Sequence, residues 1–170
     1  MRSFLSRCSL IFPLVCALTV ASQDLFTVRS VKNGHCVSKH AIAPEYNVTA
    51  ASCVEATHLK IHPLPNRHDI LVTASFKSVT HDLYIGLEGE PGSSINLVWV
   101  PHEYKWQIGL VGDGIYVIKL DELHLYWFDG YPHAPSGPVE LVAPNVYTPL
   151  PTLVWNIEPV KHCTDGHRLP

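Results

Sequence analysis

The feature that most limits how this chain can fold is a short apolar pattern that returns at near-constant spacing. Trp106-Gln107-Ile108 is echoed by Trp155-Asn156-Ile157 49 positions later, and Leu59-Lys60-Ile61 lies 47 positions before the first. Each copy alternates a large apolar residue, a polar one and an isoleucine, the period of a strand with one buried face. A second series, Phe26-Thr27-Val28, Leu71-Val72-Thr73 and Tyr116-Val117-Ile118, begins 45 residues apart each time. His35-Cys36-Val37, Leu83-Tyr84-Ile85 and Leu125-Tyr126-Trp127 form a third series. Val48-Thr49-Ala50, Leu97-Val98-Trp99 and Leu141-Val142-Ala143 form the fourth.

Four series in three copies predict twelve strands in a fixed order, and residues 23–170 show no sustained helical period. A unit this small cannot bury its apolar face alone, so the copies must share one core. Closing three hairpin-rich units into a barrel also removes exposed strand edges. The expected fold is all-β, a β-trefoil of twelve strands in three pseudo-threefold repeats. The first and fourth strands of each unit would build the barrel and the second and third a hairpin cap. Trp106, Trp155, Tyr116, Ile108 and Ile157 would then lie in the core. A two-sheet sandwich has the same local pattern but gives no reason for the recurrence.

The N-terminal segment sets the expected compartment. Arg2 and Arg7 precede an apolar run from Leu10 to Val20, followed by Ala21 and Ser22. A basic start, a short apolar stretch and a small-residue exit describe a secretory signal peptide over 1–22, cut after Ala21 or Ser22. A retained anchor would need about 20 apolar residues to span a bilayer. The expectation is a secreted, extracellular domain over 23–170 with no membrane partner after processing. Net charge is −3, and no Lys/Arg cluster supplies the footprint that nucleic acid requires.

Of five cysteines, Cys8 and Cys16 would leave with the signal. Cys36, Cys53 and Cys163 would remain where disulfides form. Cys36 lies in the second strand of the first unit and Cys53 just after the third. Antiparallel pairing brings the early end of one to the late end of the other. A Cys36–Cys53 bridge is the first choice, with Cys163 to either partner as the alternative. Asn47-Val48-Thr49 is a glycosylation sequon and predicts a surface position for Asn47.

No G-x-S-x-G elbow, phosphate-cradling glycine loop or H-E-x-x-H helix motif occurs, and the carboxylates are scattered. The expectation is a binding protein rather than an enzyme, with no cofactor and no resident metal. His58 and His62 are read as polar residues on the solvent face of a strand, and His162, Cys163 and His167 as a terminal cluster. Binding function is expected in Pro/Gly-rich loops over 88–94, 129–138 and 143–152, where a rigid scaffold fixes loop shape. Tyr131 and Tyr147 are candidate contact residues there. Arg67, in the short Asn66-Arg67-His68 turn between units, would suit a trypsin-like pocket.

The stretch from Lys105 to Val160 resembles the fungal β-trefoil proteins, especially the mushroom serine protease inhibitors. The resemblance rests on Lys105-Trp106-Gln107-Ile108, on the run from Gly112 to Ile118 and on Leu125-Tyr126-Trp127. It continues through Gly137-Pro138-Val139-Glu140-Leu141 and the run from Trp155 to Val160. It covers about the last two units, and its motifs belong to the scaffold. It implies inhibition of an extracellular peptidase by an exposed loop, without assigning that role to any residue. The related alternative is a glycan-binding, ricin-B-like lectin. Those carry Gln-x-Trp in each unit, whereas Tyr104 and Leu153 stand two residues before the tryptophans here. A secreted effector that binds another protein is the third reading.

Overall fold

The computed structural model describes residues 24–65, 69–89, 94–120 and 123–160. The signal segment 1–22, Arg67, His162, Cys163, His167 and residues 90–93 of the first candidate loop lie outside the described residues. The described chain is almost wholly strand and loop. In order come β1 (Phe26–Ser30), β2 (Cys36–Val37), β3 (Thr49–Ala51), β4 (Leu59–His62), β5 (Leu71–Ser78), β6 (Tyr84–Gly86) and β7 (Ser94–Asn96). Then follow β8 (Val98–Val100), β9 (Trp106–Gly112), β10 (Ile115–Leu120), β11 (Leu125–Phe128), β12 (Ser136–Pro138), β13 (Glu140–Val142) and β14 (Val154–Pro159).

Each strand read from the sequence pattern lies within one residue of an observed strand. Among the described residues the total is fourteen rather than twelve, because β7 and β12 are additional. Each is only three residues long, too short for a period to be read from the sequence. Both exist through pairing with hairpins elsewhere in the chain, β7 on β13 and β12 on β3.

Six strands close a ring of antiparallel pairs: β1 to β4, β4 to β5, β5 to β9, β9 to β10, β10 to β14, and β14 back to β1. This closed ring is a barrel, not a two-sheet sandwich. Three hairpins stand on one end of it: β2–β3, β6–β8 and β11–β13. Where they meet, Val48 N donates to Leu97 O at 2.7 Å, Leu97 N to Val139 O at 2.8 Å, and Val139 N to Val48 O at 2.8 Å. All three valine and leucine side chains are buried.

Trp99, Trp106, Trp127 and Trp155 are fully buried in one cluster. Trp127 stands edge-on to Trp106 at 5.3 Å and to Trp155 at 6.0 Å, with Phe76 tilted against it at 5.0 Å. Such edge-to-face contacts place the positive ring edge on the negative face. Tyr116 and Ile108 are buried as the pattern implies, while Ile157 is only partly buried because it lies near the open end of the barrel.

Cys36 and Cys53 form a disulfide with their Cα atoms 4.8 Å apart. It closes a separation of 17 residues across the first hairpin, and a loop of that size contributes about 3 kcal/mol. A second link joins distant segments. Asp129, fully buried after β11, lies 3.3 Å from His35 Nδ1, and its carbonyl oxygen accepts from Asn33 Nδ2 at 2.8 Å.

Candidate functional site

Strand parity decides what the third hairpin shows to solvent. In β11, Leu125 and Trp127 are buried, so Tyr126 and Phe128 point outward and are half-buried. In β13, Leu141 is buried while Glu140 and Val142 face out. The register pairs Phe128 with Glu140 and Tyr126 with Val142, and Glu140 in turn with Asn96 of β7. Directly opposed residues of an antiparallel pair share a face. Phe128, Glu140 and Asn96 therefore form one row on the outer surface, with Tyr126 and Val142 in the next row.

The loop after β11 folds back over this face. A Cβ built on Gly130 would overlap the Phe128 ring, and one on Gly137 would come within 2.6 Å of Tyr131 Cδ2. Both aromatic rings thus lie on bare glycine backbone, a close approach that a side chain would block. Tyr131, 37% exposed, donates its hydroxyl to Glu140 Oε1 at 2.7 Å. That hydrogen bond raises the Tyr131 phenol above its ordinary value, because ionising it would place two negative charges together; burial adds in the same direction.

The other two hairpins do not offer such a face. On β6–β8, Val98 and Val100 are buried, and Tyr104 lies against Gly86. Tyr84 at its edge has Lys77 Nζ 5.0 Å from its ring centroid, and Lys77 is also paired with Asp82 at 2.5 Å. That pairing raises the lysine from its ordinary value. On β2–β3, the positions alternating with Val37 and Ala50 include Cys36, tied into the disulfide, and Ala51, which pairs with Ser136 of β12, and both are buried.

Of the residues singled out from the sequence, Tyr131 belongs to this face. Tyr147 does not: it is 88% exposed on a separate turn, where its backbone N–H donates to Asn145 Oδ1 at 2.8 Å. Asn47 is exposed, as its sequon requires, and its backbone bridges to Val98. His58 and His62 are exposed on the opposite side of β4 from buried Leu59 and Ile61. Among the described residues no three His, Cys, Asp or Glu side chains converge as a metal site. Sequence reasoning missed Phe128, Glu140 and Asn96. The alternation in Leu125-Tyr126-Trp127-Phe128 and Val139-Glu140-Leu141 marks two of them as outward, but only register brings them together.

No family model matches this chain, and no curated protein matches it. Solved structures do. The designed threefold-symmetric protein ThreeFoil is matched with a TM-score of 0.65, 10% identity, and coverage of 79% of this chain and 97% of that one. The Macrolepiota procera ricin B-like lectin, solved in complex with lactose, gives 0.64 and 17%, covering 82% and 97%. The Rhizoctonia solani agglutinin gives 0.61 and 16%, covering 81% and 96%. At these identities the likeness is one of fold: the chain is an all-β protein with the β-trefoil architecture of the ricin B-like lectins.

Proposed function

We propose that this chain is a secreted, non-enzymatic glycan-binding protein, and that its sugar site is the outer face of β11–β13–β7 with Tyr131. The observation that carries this reading is the row Phe128–Glu140–Asn96 beside Tyr131. A sugar presents an apolar C–H face and a fringe of hydroxyls. Aromatic rings take the first, and a carboxylate and an amide take the second, with Glu140 accepting and Asn96 doing either. The fold shared with lactose-binding and agglutinating proteins supports the same reading. The peptidase-inhibitor reading draws no support from these likenesses.

We further infer that the barrel and hairpins comprise three related units, 24–65, 69–112 and 113–160. The cyclic bonds among Val48, Leu97 and Val139 support this, because each residue makes the same pair of contacts with the other two. The basic start and short apolar run within residues 1–22 support secretion, and Asn47, exposed beside β3, is the proposed glycosylation position.

The test is a glycan array that includes lactose, probed with the wild-type protein, Glu140→Ala and Phe128→Ala. Binding that falls at least about tenfold in both variants, with unchanged melting temperature, supports the site; tenfold is about 1.4 kcal/mol. Absence of any glycan signal, together with stoichiometric inhibition of a trypsin, subtilisin or papain, would return the reading to a peptidase inhibitor.

A further inference from the structure

The barrel is filled unevenly. Its hairpin end holds the four indoles, with Trp106 at the start of β9 and Trp155 near the start of β14. The other end, where β1, β5 and β10 begin and β4, β9 and β14 finish, is open. There Phe26, Leu110, Tyr116 and Ile157 line a cavity of about 740 Å³, within the range of about 300–1,000 Å³ typical of small-molecule sites.

Two features define what such a cavity would accept. Its lining reaches the surface at Leu64, an exposed aliphatic side chain. Among the described residues the lining contains one charged residue, Asp113, on the Gly112-Asp113-Gly114 turn between β9 and β10. Asp113 is exposed and forms no ion pair among the described residues.

We propose that the open end of the barrel binds a small molecule with an apolar, ring-sized body and a protonated amine. The body lies against Phe26, Leu110, Tyr116 and Ile157, and the ammonium faces the Asp113 carboxylate. A neutral apolar body gains from leaving water, and a cation gains from the carboxylate, whereas an anion of the same shape meets like charge. This site is independent of the glycan face, which is built on a hairpin at the far end.

Calorimetric titration of the whole protein with tryptamine and with indole-3-propionate, equal in body and opposite in charge, tests the proposal. Tryptamine saturates one site and binds more tightly than the carboxylate. Asp113→Asn, a change on an exposed turn, weakens tryptamine about fivefold, the scale of a solvent-exposed ion pair, and brings the two probes together. Asp113→Lys reverses their order. Addition of lactose leaves the titration unchanged. The proposal is overturned if neither probe binds, if both bind the wild-type protein equally, or if Asp113→Asn leaves their ratio unaltered.

Discussion

Tyr131 gives its phenolic hydrogen to Glu140 Oε1 across 2.7 Å, which ties the loop following β11 back onto β13. The phenol is raised above its ordinary 10.0, first by this bond and then by burial and the carboxylate charge. A folded value above the unfolded one means the bond's contribution is complete below pH 10 and is lost as pH rises through the folded value. Phenolate absorbance should therefore show one tyrosine ionising late in the wild-type protein. Glu140→Gln moves that ionisation to lower pH. An identical titration in the two proteins would contradict the bond.

Gly137 has the Tyr131 ring where a Cβ would go, 2.6 Å from Tyr131 Cδ2. Gly137→Ala forces the ring off the β12 backbone. The expected cost is about 1–3 kcal/mol, measured by urea unfolding. The late tyrosine ionisation should be lost in the same variant, since the hydroxyl can no longer reach Glu140.

The four indoles are equally buried but not equally bonded. Trp106 Nε1 donates to Ile85 O at 2.8 Å and Trp155 Nε1 to Trp127 O at 3.2 Å. Among the described residues, Trp99 Nε1 and Trp127 Nε1 have no acceptor. Each Trp→Phe change leaves a similar void, but at 106 and 155 it also orphans a buried carbonyl. Trp106→Phe should cost more than Trp99→Phe by about 1–3 kcal/mol, read as the difference in unfolding free energy. Equal losses would show that the indole bonds add nothing to packing.

Reducing the Cys36–Cys53 bridge, or replacing both cysteines by alanine, frees a 17-residue separation in the unfolded chain. Unfolding free energy should fall by about 3 kcal/mol. Glycan binding should persist where the protein stays folded, because the bridge stands on the first hairpin and the candidate face on the third. Loss of binding in a folded, reduced protein would separate the site from β11–β13.

Much of this fold is legible in the chain itself because strand alternation is a local property. The Trp-x-Ile and Phe-x-Val series mark which residues face inward whatever else the chain does, and Trp106 and Trp155 are buried accordingly. The cysteine pairing was readable for the same reason: residues 36 and 53 flank consecutive strands of one hairpin. By contrast, β7 and β12 are three residues each, too short to show a period, and their partners lie 44 and 85 or more residues away.

The candidate site divides along the same line. Tyr131 stands out in the sequence as an aromatic residue in a Pro/Gly-rich loop. Glu140 and Asn96 are ordinary polar residues until a long-range register sets them side by side, with Phe128 in the same row. The open barrel mouth is likewise invisible locally, since it arises where strand ends from distant parts of the chain come together. Residue alternation by itself determined which side chains turn inward. Only the pairing of distant strands decided which outward ones meet, because that register is set by the whole closed barrel and not by neighbours along the chain.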